Sequence, residues 1–222
     1  ILETPGSAYE SFKLDPIRII RAARFYAELD CKSLSKEIID AMKSNIDLIQ
    51  YAPKEKIKKE IMKIMSCSVP AECFVFLDLV GAVKYIFPKI NQDKDFMTNS
   101  RHPLFWHLID TLKKVSDLTT DPEIRLAAIL HDTGKFNFDK DHSKISAESA
   151  RVMLKDLGFE KSTISRVYSL IKHHMSINPE MSKDFSLARK FMNMINDDWK
   201  GHLVLRAAND SADGGSKRNP AY

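Results

Sequence analysis

Residues 128–136 read A-I-L-H-D-T-G-K-F, and this segment places an imidazole and a carboxylate at the end of an apolar run. Ile124 and Ala128 precede His131 at helical spacing, and the helix must end before Gly134. A break at this point lets neighbouring side chains aim at one place. Because a chain with 7 His can contain a His-Asp dipeptide by chance, its meaning depends on the rest of the sequence.

The composition indicates a globular, helical protein. The 222 residues are 44% hydrophobic, which is enough to bury a core, and the scarcity of glycine (7 residues) favours helices over strands. Three cysteines without metal-type spacing predict reduced thiols and a cytoplasmic location. The most apolar region, 74–87, contains Asp78 and Lys84, and no secretory signal opens the chain, so we expect no membrane association.

The net charge of +4 permits an anionic partner without requiring one. The most basic stretch is 54–63, K-E-K-I-K-K-E-I-M-K. This stretch is either a solvated helix face or a contact for the RNA backbone, and the sequence leaves both interpretations open.

Apolar periodicity and helix-capping residues predict an all-α fold in two helical parts. In the first part we expect a helix beginning at Asp15-Pro16, then helices over about 35–49, 53–65 and 70–81, and a short apolar piece at 83–87. Residues 88–102, rich in Lys, Asn, Asp and Pro, predict a linker. In the second part we expect helices over about 102–118, 121–130, 146–157, 162–174, 186–195 and 198–212.

Polar side chains from separate helices of the second part are predicted to face the core. His107 lies at the edge of an apolar stripe, and Asp210 shares a face with Leu203 and Ala207 at i, i+4 and i+7. A buried carboxylate is costly unless it is paired or binds a metal, and mixed imidazole and carboxylate ligands suit a divalent first-row ion. Taken singly, each residue has an ordinary explanation that the sequence favours: His107 as a core or helix-surface histidine, and Asp210 as a cap or surface carboxylate.

The order of these residues adds to that interpretation. The chain resembles the HD-domain metal-dependent phosphohydrolases over about residues 99–213. The resemblance lies in the order His107, then His131-Asp132 followed by Thr-Gly-Lys, then Asp210. The resemblance implies that these four residues bind a divalent metal (Mg, Mn, Ni or Co), whose water attacks a phosphoester. It also implies a catalytic part for His131, Asp132 and Lys135, with the lysine neutralising phosphate; a solvated loop lysine is the alternative.

Further histidines follow in the sequence at positions where HD proteins often carry them. His142, His173 and His174 are expected to bind phosphate, to orient the metal ligands or to hold a second ion. The alternative, that they are exposed histidines at helix ends, stays open.

The first part of the chain resembles a second family. Residues 12–25, F-K-L-D-P-I-R-I-I-R-A-A-R-F, resemble the neck of bacterial-type tRNA nucleotidyltransferases and poly(A) polymerases, and residues 76–87 resemble the body. The likeness implies that Asp15 and Arg18 read the base edge of CTP or ATP in the parent enzyme, and that Arg21 and Arg24 meet phosphates. Leu14 stands where that family has a Glu. Without the likeness, Asp15 is a helix cap and the arginines are surface residues.

These resemblances predict a neck at 1–66, a body segment and linker at 67–98 and an HD domain at 99–222. The transferase head, with its Gly-rich strand-turn and D-x-D motif, is missing, so we expect a fragment that cannot add nucleotides by itself. The expected partners are a nucleotide and tRNA or another RNA 3′ end. The expected substrates are 2′-nucleotides, 2′,3′-cyclic phosphates or phosphomonoesters. A stand-alone HD nucleotidase and an RNA-binding module with an inactive HD site are the alternatives, and the oligomeric state stays open.

Overall fold

The computed structural model describes residues 6–31, 34–92, 95–97, 103–135, 141–177, 181, 184–195 and 198–213. Within these ranges the protein is all-α, as predicted, and an isolated bridge between Met97 and Pro103 is the one extended pairing. The predicted linker, 88–102, lies partly outside the described residues. No helix in these ranges combines the length and apolar character needed to cross a bilayer.

The first part of the chain forms seven helices among the described residues. They are α1 (Ala8–Leu14), α2 (Ile17–Glu28), α3 (Lys36–Ser44), α4 (Lys54–Ser66), α5 (Pro70–Leu79), α6 (Val83–Ile86) and α7 (Pro88–Gln92). Helix α1 was not predicted; its N-cap is Ser7, whose hydroxyl accepts from the Glu10 N–H. The predicted 35–49 helix ends early because Asn45 donates to the Ala41 carbonyl and a 3-10 segment, Ile46–Tyr51, follows. Helix α7 occupies the start of the predicted linker.

The second part forms six helices in the described ranges, close to the predicted bounds. They are α8 (Leu104–Leu118), α9 (Pro122–Leu130), α10 (His142–Asp156), α11 (Lys161–Lys172), α12 (Phe185–Met194) and α13 (Trp199–Asp213). Asp121 caps α9, since its carboxylate accepts from the N–H groups of Glu123 and Ile124. Helix α10 begins at His142, four residues before the predicted start, which places this histidine in the first turn of a helix.

One continuous hydrophobic core joins the two parts. Polar contacts support the junction: buried Arg125 on α9 donates to the Met65 and Cys67 carbonyls at the end of α4, each at 2.8 Å. Lys58 of α4 donates to the Gly158 carbonyl and to the Glu160 carboxylate, both at 3.0 Å. The predicted domain boundaries are not tested by these contacts and stay predictions.

The basic stretch on α4 is extensively paired with carboxylates. Its paired lysines are Lys54 with Asp156, Lys58 with Glu55 and Glu160, Lys59 with Glu55, and Lys63 with Glu60. Two of these lysines cross to the second part of the chain. The structure therefore favours a role for the stretch in joining the two parts over a row of cations open to RNA.

Candidate metal centre

Helix α9 delivers His131 into the core. Seven residues of this helix, Ile124 to Leu130, are buried, and His131 follows as the C-cap. The His131 Nδ1 lies 2.8 Å from the Ala128 carbonyl oxygen, one turn back. Because a carbonyl can only accept, Nδ1 carries the proton and Nε2 presents a lone pair to the interior.

The glycine after the His-Asp pair permits a close approach between α9 and α10. A Cβ at Gly134 would lie 2.7 Å from both the Ile145 Cγ2 and the Ser146 backbone nitrogen, so a larger residue cannot fit without movement. The Gly134 N–H donates to the Ser146 hydroxyl at 2.9 Å. This contact fixes the start of α10, where His142 lies, beside Asp132.

The first group of possible metal ligands comes from α8 and the end of α9. His107 Nε2 lies 3.2 Å from His131 Nε2 and 3.3 Å from Asp132 Oδ2. His131 Nε2 lies 3.6 Å from the same carboxylate oxygen. All three side chains are buried, and their ligand atoms are close enough together to surround one ion. Lys135 donates to Asp132 Oδ2 at 2.8 Å from the partly exposed edge of the group.

The second group uses the other oxygen of the same carboxylate. His174 Nε2 lies 3.6 Å from Asp132 Oδ1, and His142 Nε2 lies 3.8 Å from it. Among the described residues, neither His174 Nε2 nor Asp132 Oδ1 has a hydrogen-bond partner, although both are buried. Asp132 is thus placed between two sets of possible ligands, one on each oxygen.

The tautomers of the buried histidines are compatible with a bound cation. His174 Nδ1 lies 2.7 Å from the Ile171 carbonyl, so it carries the proton, as in His131. Both histidines therefore direct an Nε2 lone pair at a carboxylate that also offers only lone pairs when ionised. Two hydrogen-bond acceptors that face each other in a buried site repel each other. A cation bound between them attracts both and so stabilises the arrangement.

The pKa shifts agree with this charge pattern. Burial lowers the pKa of His131 and lowers that of His174 to about 3, so both rings are neutral near neutral pH. Burial alone would raise the pKa of Asp132, but the hydrogen bond from His107 and the Lys135 ammonium oppose it, and that pKa is held well below its usual value. An ionised carboxylate among neutral imidazoles is the ligand form that a divalent metal requires.

Comparison with known families identifies the part of the chain that carries this cluster. Residues 104–199 match the family described as "HD domain". This part of the chain is an HD domain. Residues 33–94 match the family described as "Probable RNA and SrmB- binding site of polymerase A". HD domains bind divalent metals, and the described residues include a His/Asp cluster able to hold one.

Similar curated proteins carry the name "Multifunctional CCA protein". The protein from Nitrosococcus oceani is 31% identical over 131 residues, 56% of this chain and 32% of that protein. The protein from Shewanella denitrificans is 31% identical over 139 residues, 57% of this chain and 32% of that protein. The protein from Methylococcus capsulatus is 30% identical over 133 residues, which are 56% of this chain and 31% of that protein. The chain thus spans about a third of the length of these relatives, and the predicted likeness to tRNA nucleotidyltransferases is confirmed.

The structure corrects one predicted ligand of the HD domain. Asp210 is exposed and pairs with Arg206 on its own helix at 2.9 Å, away from the imidazoles. Its neighbour Asn209 is buried instead, and its Oδ1 lies 3.0 Å from His131 Nε2. Residues on a helix turn by about 100° per position, so the inward face of α13 carries Asn209, and Leu203 on the predicted face is exposed. The family match ends at residue 199, before this position.

A matched pair of substitutions tests this assignment. Asn209→Asp adds a charged oxygen beside His131, so we expect a divalent metal to bind roughly tenfold more tightly. Asp210→Asn removes an exposed carboxylate, and its expected effect on metal affinity is less than about twofold. Isothermal titration of the metal-free chain with Mn²⁺ or Ni²⁺ measures both. If Asp210→Asn abolishes metal binding, Asp210 rather than Asn209 faces the cluster.

His173 does not join the cluster. Its ring faces buried His202 at 6.2 Å between centroids, on the other side of the end of α11 from His174. Burial lowers the pKa of His202 to about 4 and also lowers that of His173. Among the described residues, His173 is in neither group of possible metal ligands, and its predicted contact with phosphate stays a prediction. His142 and His174 are the two of the three further histidines that reach the HD centre.

The predicted nucleotide-binding residues lie at the start of α2. The Asp15 carboxylate lies 3.8 Å from Arg18 Nε and 4.0 Å from an Arg21 nitrogen. Arg18 also donates to the Ser11 hydroxyl at 2.6 Å. Asp15 and Arg18 are partly exposed and close together, which is compatible with a shared contact to a base edge.

A residue that the sequence analysis missed binds the other arginines of this face. Glu60 of α4 is buried and accepts from Arg21 Nε at 3.1 Å, and its other oxygen lies 3.7 Å from Arg24. Arg24 is itself largely buried and also pairs with Glu28 at 2.7 Å. Arg24 therefore stabilises the packing of α2 against α4. Glu60 lies on the inward face of α4 with Ile57 and Ile64, and this spacing was a usable signal in the sequence.

Proposed function

We propose that this chain is the HD-domain portion of a nucleotidyltransferase-related protein and hydrolyses phosphoesters with a divalent metal. One observation carries the proposal. The Nε2 atoms of His131 and His174 lie near the two oxygens of buried Asp132, and a cation bound between these acceptors would stabilise the arrangement.

The described residues suit one or two ions. His107, His131 and Asp132 would hold the first, with Asn209 as a neutral oxygen ligand beside them. Asp132, His142 and His174 would hold the second, with the carboxylate shared between both. Mixed nitrogen and oxygen ligands favour Mn, Ni or Co over Mg, which prefers oxygen.

The protein groups then position a phosphoester for attack by water. When bound, a divalent cation at such a site lowers the pKa of water and offsets negative charge on phosphate. Lys135 is the partly exposed cation at the edge of the centre, and its ammonium can exchange Asp132 for a phosphate oxygen. Substrates small enough to reach this edge include 2′-nucleotides, 2′,3′-cyclic phosphates and simple monoesters.

Hydrolysis by the metal-free and metal-loaded chain tests the proposal. The chain, first treated with a chelator and then supplied with Mn²⁺, Ni²⁺, Co²⁺ or Mg²⁺, is incubated with 2′-AMP, 2′,3′-cyclic AMP and p-nitrophenyl phosphate. We expect release of phosphate or ring opening only with metal, by at least about a hundredfold over the chelated chain. No hydrolysis with any metal, combined with salt-sensitive tRNA binding, would support the RNA-binding module with an inactive centre.

The first part of the chain supports RNA as a partner. Its match over 33–94 is to a family described by RNA binding, and the relatives are named CCA proteins. We infer that this part binds tRNA or another RNA 3′ end, and that Asp15 and Arg18 contact CTP or ATP in the longer protein.

A further inference from the structure

A second chemically reactive pair lies outside the HD centre, where the two parts of the chain meet. Cys67 is the C-cap of α4, and Cys73 lies in the first turn of α5. The short connection between these helices turns both side chains inward, and their sulfur atoms lie 3.8 Å apart. Both cysteines are buried, Cys73 completely and Cys67 to within 7%. To form a disulfide, these two sulfurs must close from contact distance to about 2.05 Å.

The two thiols have different surroundings. Cys67 is placed before the N-terminus of α5, where the Val69 N–H and the helix dipole favour a thiolate. Hydrogen bonding from Cys73, opposed by burial and helped by the Val69 N–H, lowers the pKa of Cys67 to about 7. The same contact, together with burial, raises the pKa of Cys73. The pair therefore consists of one nucleophilic sulfur and one protonated neighbour.

The backbone around Cys67 is held by the HD domain. The Arg125 guanidinium donates to the Cys67 and Met65 carbonyls at 2.8 Å and adds a positive charge near the thiolate. Because the backbone at Cys67 is anchored, the two sulfur atoms stay next to each other in the folded protein. This contact also links the state of the pair to the helix that ends in His131.

We propose that Cys67 and Cys73 form an oxidisable pair that hydroperoxides convert to an intramolecular disulfide. The Cys67 thiolate attacks one peroxide oxygen and becomes a sulfenic acid, while the second oxygen leaves as hydroxide and takes up a proton. The Cys73 sulfur then attacks the Cys67 sulfur, the S–O bond breaks and water leaves with the Cys73 proton. Two thiols and one hydrogen peroxide thus give one disulfide and two waters.

Alkylation after oxidation tests this proposal on the full chain. The folded protein is treated with hydrogen peroxide, unfolded, alkylated with iodoacetamide and digested for peptide mass analysis. We expect Cys67 and Cys73 to lose alkylation together, at least about tenfold faster than Cys31, and a cross-linked peptide to appear that dithiothreitol removes. Equal oxidation of all three cysteines, or no cross-linked peptide, would overturn the proposal.

Single substitutions separate the two roles. In Cys73→Ser we expect Cys67 to gain one oxygen and to react with dimedone, because no second thiol resolves the sulfenic acid. In Cys67→Ser we expect Cys73 to remain alkylatable. If Cys67 in the Cys73→Ser variant and Cys73 in the Cys67→Ser variant react with peroxide equally fast, the assigned order of attack is contradicted. The wild-type cross-link decides the pairing even if either variant folds poorly.

Discussion

Asp132→Ala is expected to abolish both divalent-metal binding and metal-dependent hydrolysis. The carboxylate lies between two groups of imidazoles and supplies an oxygen to each, so its loss removes a ligand from both. We expect metal affinity to fall by well over the ten- to hundredfold typical of outer ligand partners. Isothermal titration with Mn²⁺ and hydrolysis of 2′,3′-cyclic AMP measure the two losses. The exposed carboxylate of Asp117, on α8, provides the matched control variant Asp117→Ala.

The stability of the metal-free variant separates a metal ligand from a structural ion pair. Replacing Asp132 with Asn removes the acceptor of the Lys135 ammonium at the partly exposed edge, and it relieves the contact between the carboxylate and the His174 lone pair. We expect the free energy of unfolding of metal-free Asp132→Asn to stay within about 1 kcal/mol of wild type. A loss of about 3–5 kcal/mol, typical of a broken buried ion pair, would contradict the metal assignment. RNA binding should be unchanged in both variants.

The local sequence was enough to find three of the residues in the HD centre. Periodicity predicts that His107 and His131 face inward from apolar stripes of their helices, and the resemblance to HD proteins added Asp132 at the helix end. The same reasoning found the all-α fold, because caps such as Asp121-Pro122 mark helix starts without any tertiary information.

The sequence could not fix the position of the fourth oxygen. Asn209 and Asp210 are adjacent, and a change of one residue in the inward face of α13 exchanges them. That face is set by packing of α13 against α8, and the apolar residues of α13 support more than one choice. Similarly, His173 and His174 are adjacent at the end of α11, and the bond from His174 to the Ile171 carbonyl decides which one faces Asp132. Such choices depend on tertiary contacts.

The charged contacts between the two parts of the chain were also beyond sequence reasoning. Apart from Arg125, residues 124–130 of this helix are apolar, and the two carboxylates before it, Asp121 and Glu123, pair with Arg166 instead. Its partners are backbone carbonyls from distant segments, and a carbonyl leaves no signal in a sequence. Only the assembled fold reveals that this guanidinium is buried.

Arg125→Met is expected to destabilise the protein strongly. The guanidinium is 2% exposed and donates to the carbonyls of Met65, Cys67, Thr119 and Ser116, at the ends of α4 and α8. Methionine fills a similar volume but leaves these carbonyls with fewer donors, so we expect a loss of roughly 2–4 kcal/mol in the free energy of unfolding. The free energy of unfolding is measured by urea titration, with circular dichroism as the signal.

Lys54→Met provides the control for Arg125, because both side chains connect the same two parts of the chain. Lys54 pairs with Asp156 at 2.9 Å, but both side chains are well exposed to solvent. Water and salt screen such a pair, so we expect a change below about 0.5 kcal/mol. A large loss for both variants would show that charge across the junction stabilises it. A large loss for Arg125→Met alone would show that the buried bonds to helix-end carbonyls hold the HD domain against the RNA-binding part.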